Sequence, residues 1–541
     1  MNIKKMLIWL VVLALLLPTL CLCLSACNPP EPEPDPDPEP EPDIELDPAP
    51  DLTDDNYRVF YQIFVGSFSD SNGDGTGDLR GIINRMDYLN NGNINSHSSL
   101  GVQGIWLSPI FKSPTYHKYD ATDYYTIDPK FGTDEDLKEL VELCHERNVK
   151  IILDLAINHT STQNNWFTQF RNARKKGDTE NPYYDFYTCV TNEEKVGGRT
   201  YYAVPGCSGL FYEGNFDSGM PELNYDNQAV RDEMVNVAKH YLDMGVDGFR
   251  FDAVKYIYYN DTTSTVEFWM WYMEQLRALK PDIYTVGECW SSDSEILKYY
   301  PAFNCFAFSA GTNADGRIAM AVNSGSLSAY TSYVASLQSS ILEANPDGMF
   351  VPFIANHDND RAAGYLPPTN GKAFVAANLL MLTPGSPFVY YGEEIGMKGT
   401  RSGNTDANRR LAMLWGDSDT VKNPTGANYG TQNQTNGTVA SQIKNKNSLL
   451  RHYSKLITLR VNYPEIARGK YTVLSIKSNV AGFTVEYNGS KIAIIHNIST
   501  EEVTIDLPQG FTTLGDYVGR NSAKLEGGKL VIGGQTSVIL R

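Results

Sequence analysis

Residues 246–252, Val-Asp-Gly-Phe-Arg-Phe-Asp, form a short apolar run that closes on a carboxylate. In an extended strand residues two apart share a face, so Arg250 and Asp252 point the same way. A short apolar run of this kind suits a strand buried on both faces, as in a parallel sheet. Seven further runs have the same character: Val59 to Val65, Val102 to Leu107, Lys150 to Leu155, Ile283 to Val286, Phe303 to Phe308, Met349 to Ile354 and Phe388 to Tyr391. Amphipathic stretches suited to helices separate them. The fold class is therefore α/β, and such strands alternating with helices fit a (β/α)8 TIM barrel.

Reacting groups of a barrel project from the C-terminal ends of its strands. Four runs end in such groups: the third reaches Asp154 and then Asn158-His159, the fourth carries Arg250 and Asp252, the fifth closes on Glu288, and the seventh runs into Asn356-His357-Asp358. Any one of these is equally well explained as a structural polar residue at a barrel rim. Their recurrence around one rim argues for a site.

The formal charge of -19 over 541 residues repels phosphate backbones, so nucleic acid is not expected as a partner. Much of that charge is local. Asn28 to Pro50 alternates Pro with Asp or Glu, a composition that buries no core and forms an extended spacer. Ahead of it, Lys4, Lys5 and the apolar stretch Met6 to Leu20 read as an export signal. It ends in Leu24-Ser25-Ala26-Cys27, which resembles a bacterial lipobox. That implies cleavage before Cys27, a lipid anchor to the membrane on its thiol, and a location on the extracellular face of the cell envelope. An uncleaved transmembrane anchor is the alternative.

Cys144, Cys189, Cys207, Cys289 and Cys305 then remain, an odd set that makes no disulfide framework. Cys189 and Cys207 lie near enough in sequence to bridge, and buried free thiols are the other reading. The chain divides into a signal (residues 1–26), an acidic Pro-rich linker (27–52), a barrel in two parts (53–159 and 226–466), an inserted subdomain after strand three (160–225) and a C-terminal antiparallel β-sandwich (467–541). A monomer is expected.

Two carboxylates on neighbouring strands fit retaining glycoside hydrolysis, in which one attacks the anomeric carbon and the other protonates the leaving oxygen, with carboxyls about 5 to 5.5 Å apart. Asp252 and Glu288 are the natural pair. Arg250, on the face of Asp252, is placed to keep the nucleophile ionised, and an apolar wall at Cys289 and Trp290 would keep Glu288 protonated. Separately, Asp70-Ser-Asn72-Gly-Asp74-Gly-Thr76-Gly-Asp78 offers alternate oxygen ligands on a Gly-rich loop, as calcium requires. A plain Asx-rich turn is the other reading, and the Glu that ends an EF-hand loop is missing.

Together these segments resemble the α-amylase family, glycoside hydrolase family 13. They stand in order as Asp154-Leu-Ala-Ile-Asn158-His159, Met220-Pro221-Glu222-Leu223-Asn224, Gly248-Phe-Arg250-Phe-Asp252-Ala-Val-Lys255, Val286-Gly-Glu288 and Phe353-Ile-Ala-Asn356-His357-Asp358. The resemblance implies Asp252 as nucleophile, Glu288 as acid/base and Asp358 as a third carboxylate gripping the hydroxyls of the distorted sugar. It implies Arg250, His159 and His357 around the cleaved glucose, Tyr119 stacking on that sugar, Asp120 binding its hydroxyls, and Lys255 supporting a reducing-side subsite. It favours one calcium on the loop of Asp70, Asn72, Asp74, Thr76 and Asp78. A second calcium would use Asn158 and Glu222, but Tyr256 follows Lys255 where many calcium-dependent relatives carry His.

The implied reaction is endo-hydrolysis of α-1,4 bonds in starch and maltooligosaccharides. The Met-Pro-Glu-Leu-Asn segment and the first-strand loop also resemble members of intermediate specificity, the neopullulanase and oligo-1,6-glucosidase type, which keeps action on pullulan, α-1,6 cleavage and transglycosylation open. A binding protein that has lost catalysis is the third class, and the presence of Asp252, Glu288 and Asp358 weighs against it. Trp166 and Tyr212 are candidate sugar platforms, although most aromatics are core.

Overall fold

The computed structural model describes residues 56–541 apart from His97 and Asn404. The export signal, the linker and Cys27 lie outside the described residues. Seven strands form one parallel sheet: β1 (Phe60–Ile63), β2 (Gly104–Leu107), β3 (Lys150–Leu155), β4 (Gly248–Phe251), β5 (Tyr284–Gly287), β6 (Asn304–Cys305) and β7 (Phe388–Tyr390). Their spatial order is β6-β5-β4-β3-β2-β1-β7. Isolated parallel bridges, Phe306 to Val351 and Phe353 to Phe388, join the two edges and close the barrel.

The run Met349 to Ile354 was expected as a full strand and is present only through those bridges. Pro352 at its centre has no N–H to donate to a ladder. Its carbonyl still accepts from the Phe388 N–H at 2.9 Å.

Alternation sorts the strand residues. Phe60, Trp106, Ile152, Tyr284, Val286, Val351 and Phe388 belong to one buried apolar cluster, whereas their neighbours Tyr61, Ile105, Leu107 and Ile151 pack into the larger core with the helices. One step up from that inner cluster the side chains turn polar: Gln62, Asp154 and Arg250, all buried. Gly248 makes the close spacing possible, because a Cβ there would stand 1.8 Å from the Tyr284 carbonyl oxygen of the adjacent strand.

The outer helices follow from capping and spacing. Asp134–Glu146 starts at a capping box between Thr133 and Asp136 and buries Leu137, Leu140, Val141 and Cys144 on one stripe.

Within the inserted region a three-stranded antiparallel sheet joins Cys189–Thr191, Leu210–Glu213 and Tyr201–Ala203. Cys189 and Cys207 are not bonded, and all five cysteines among the described residues are free thiols. The C-terminal region carries a five-stranded and a three-stranded antiparallel sheet, beginning at Lys470. Their apolar residues, among them Val480, Ile495, Leu530 and Leu540, meet in a core of their own.

Candidate active site

A cleft of about 730 Å³ opens at the C-terminal end of the barrel, with Asp252, Glu288 and Asp358 on its wall. Strand β4 delivers Asp252, whose N–H donates to the Leu155 carbonyl at 3.3 Å, and the Glu288 N–H donates to the Phe251 carbonyl at 2.9 Å. The parallel register therefore continues past the strand ends and sets the two carboxylates side by side. Between them the backbone turns sharply: Ala253 takes a left-handed conformation at φ 51°. That turn aims the Ala253 N–H at Glu288 Oε2, 3.1 Å away.

Arg250 organises the pair from below. It is 1 % exposed, and its Nη1 reaches both Asp154 Oδ1 and Asp252 Oδ1 at 2.7 Å. Its Nη2 stands 3.3 Å from Glu288 Oε2. Asp154 accepts in turn from Trp106 Nε1 at 3.2 Å and the Tyr119 hydroxyl at 2.9 Å. Glu288 behaves differently from its neighbour. Burial and the charges of Asp252 and Asp358 outweigh Arg250 and push its carboxyl up to about 8. The expected apolar neighbours are present: Cys289 is buried, and Trp290 stacks on Phe308 at 5.0 Å.

Asp358 sits between an imidazole and a guanidinium. His357 Nε2 lies 3.0 Å from its Oδ2 and Arg410 Nη2 lies 2.7 Å from its Oδ1. Burial works against ionisation, yet His357, Arg410 and Arg250 together hold this carboxyl far below its ordinary range. His357 is fully buried, bonded to Gln62 Nε2 and the Tyr119 hydroxyl, each at 2.7 Å, and its ring stacks on Tyr119.

Tyr119, His159 and Lys255 line the cleft. Both ring nitrogens of His159 are buried without a protein hydrogen-bond partner. Arg250, His357 and Asp120 are buried next to the residues that line the cleft. Asp120 Oδ1 accepts from Ser113 at 2.8 Å and from Thr115. Tyr212 is 5 % exposed and belongs to the core; Trp166 is half-buried against Tyr124 and Phe186, away from this cleft.

Sequence reasoning missed part of the wall. Arg410 lines the cleft with Tyr116 and Asp406, and its Nη1 reaches the Tyr116 hydroxyl at 3.0 Å. Phe216, 43 % exposed, packs on His159 at 5.1 Å and on Tyr256 at 5.0 Å. The adjacent arginines at 409 and 410 were the one local hint of the former, and Phe216 had none.

In the loop after β1, Asp70 Oδ1 accepts from the Asn72 and Gly73 N–H groups and Oδ2 from Gly75 and Thr420. Asp78 caps the following helix through the Gly81 N–H and also accepts from Ser71. Burial, with the nearby Asp70 charge adding to it, raises Asp78. The side-chain donors of this loop are all oxygen, the donor chemistry of calcium, and those of Asp70 and Asp78 accept here from N–H and hydroxyl groups. Asn158 and Glu222 were the ligands expected for a second calcium. Glu222 Oε1 is already taken by the N–H and Nδ2 of Asn215, at 3.0 and 2.7 Å. Among the described residues no three His, Cys, Asp or Glu side chains gather as one metal site.

A barrel rim carrying two carboxylates on one arginine, one of them pushed up to about 8, is the equipment of a glycoside hydrolase. Residues 62–469 match the family described as "Alpha amylase, catalytic domain". Alpha-amylase 3 of Dictyoglomus thermophilum is 34% identical over 487 residues, 89% of this chain and 93% of that protein. The 4-alpha-glucanotransferase of Thermotoga maritima is 30% identical, over 83% of this chain and 97% of its own length. The structure of Eubacterium rectale Amy13B superposes with a TM-score of 0.83 at 36% identity, covering 90% of this chain and 96% of that one. The chain belongs to the α-amylase family, glycoside hydrolase family 13, and is an enzyme of that family acting on α-glucans.

Proposed function

We propose that this enzyme hydrolyses internal α-1,4 bonds of starch-like glucans by double displacement. Asp252 attacks the anomeric carbon as the glycosidic C–O bond breaks, and Glu288 gives its proton to the leaving oxygen. Water then cleaves the glucosyl ester, returning a proton to Glu288 and the carboxylate to Asp252. The observation that carries this reading is Arg250, which pairs Asp252 at 2.7 Å while the buried Glu288 stays high enough to remain an acid at neutral pH. Asp358 and His159 bind hydroxyls of the ring at the point of cleavage, and Phe216 and Trp290 offer apolar faces to its neighbours. Asp70, Asn72, Asp74, Thr76 and Asp78 would hold a calcium ion that braces the loop after β1. The lipobox-like segment at Cys27 supports a lipid-anchored enzyme on the outside of the cell.

Transfer to a sugar acceptor is the second reading, favoured by the 4-alpha-glucanotransferase relative. Product analysis over time with amylose, pullulan and maltotriose, on wild type and Asp252→Asn, separates the two. A rapid fall in amylose chain length, abolished by the substitution, supports endo-hydrolysis. Products longer than maltotriose support transfer, panose from pullulan moves the specificity toward neopullulanase, and full activity in the variant would sink the mechanism.

A further inference from the structure

The inserted region meets the barrel at a cluster where the resemblance asks for a cation and the chain supplies one itself. Arg199 Nη1 lies 2.9 Å from Glu213 Oε2, on a carboxylate only 2 % exposed. Its Nη2 donates to the carbonyl of Tyr259, in the segment after β4, at 3.0 Å. The Tyr259 hydroxyl returns a bond to the Gly198 carbonyl at 2.9 Å. Asn215 Nδ2 completes the cluster by donating to both Glu213 Oε1 and Glu222 Oε1 at 2.7 Å.

We propose that Arg199 is a built-in cation, doing at this junction what a second bound calcium would otherwise do, and that it positions the sugar-binding wall. The guanidinium meets a carboxylate of the insertion and a carbonyl of the barrel segment at once, which is how an ion with oxygen ligands joins two chain segments. Its fixed planar fork holds both contacts in one geometry, which a point charge on a flexible stem does not. The consequence reaches the cleft by two short paths. Phe216 follows Asn215 directly, and Glu222 bridges to His159 through the backbone. Tyr259 packs at 5.8 Å on Tyr256, which meets Phe216. Arg199 touches no cleft residue itself, so it acts through these neighbours.

The inference rests on the cleft being the glucan site; a wild type inactive on every α-glucan would sink that reading and leave the metal count below untouched. Arg199→Ala and Arg199→Lys are compared with wild type for kcat and KM on maltooligosaccharides, with and without millimolar calcium. Arg199→Ala is expected to raise KM several-fold with kcat within about twofold, and added calcium to restore part of that loss by entering beside Glu213 and Glu222. Lysine should recover only part, and wild-type KM should not respond to calcium. A wild-type KM in Arg199→Ala overturns the proposal. Should that variant not fold, calcium is counted on Asp74→Ala: none per chain agrees with the proposal, whereas one ion that Glu222→Gln then removes overturns it.

Discussion

Arg410 Nη2 stands 2.7 Å from Asp358 Oδ1 although 52 residues separate them, and with His357 and Arg250 this contact holds the third carboxylate far below its ordinary range. Arg410→Ala removes the contact and leaves His357 as the neighbour that still bonds the carboxylate directly. We expect kcat/KM to fall about 10² to 10³-fold, the scale for losing a group that acts on transition-state charge. The acidic limb of the pH–rate profile should move to higher pH, because a carboxyl once held low then protonates earlier. An unmoved limb would show that Asp358 does not need Arg410.

Glu288 sets the other limb. A general acid is active while protonated, so its activity is present at lower pH and lost as pH rises through its raised value near 8. Glu288→Gln should abolish that alkaline limb and lower kcat by about 10² to 10⁴-fold. Activity toward an aryl glucoside whose leaving group needs no proton should survive best. Equal losses on both substrates would remove Glu288 from the acid role.

Calcium on the loop after β1 predicts a stability effect. A ligand present at about 100 times its Kd adds about 2.7 kcal/mol to the folded state. Dialysis against chelator should therefore lower the Tm by a few degrees, and calcium should restore it. Asp74→Ala should melt at one temperature under both conditions. Scanning calorimetry on the two proteins decides it, and identical melting of wild type with and without chelator would sink the loop site.

Glu393 gives a pH dependence of stability. It is buried beside Glu394, accepts from the Tyr453 hydroxyl at 2.8 Å, and burial raises it from an ordinary 4.5 to about 8. The unfolded chain releases this proton near 4.5 while the fold keeps it. Its contribution is thus fully present below 4.5 and lost as pH rises to about 8. Glu393→Gln keeps an acceptor for Tyr453 and cannot ionise. Relative to wild type it should gain on the order of a few kcal/mol between pH 5 and 8, read by denaturant unfolding. A gain that does not change with pH would show that Glu393 is already ionised in the fold.

The amino-acid sequence determined the strand runs, the carboxylates at their ends and the family, because each is written in contiguous residues: an apolar period, then a charged residue where the strand stops. Asp252 and Glu288 were legible for that reason, and so were Arg250 and His159. Pro352, which has no N–H, reduces the run Met349 to Ile354 to two bridges where a full strand was expected. Tertiary structure alone decided which side chains face the cleft and which stand beneath it. Arg410 meets Tyr116 across 294 positions, and Arg199 meets Tyr259 across 60. No local pattern encodes such pairs, since loop closure brings them together and burial then fixes their charge. The unequal hold of one guanidinium on two chemically similar carboxyls has the same origin: Arg250 stands 2.7 Å from Asp252 and 3.3 Å from Glu288.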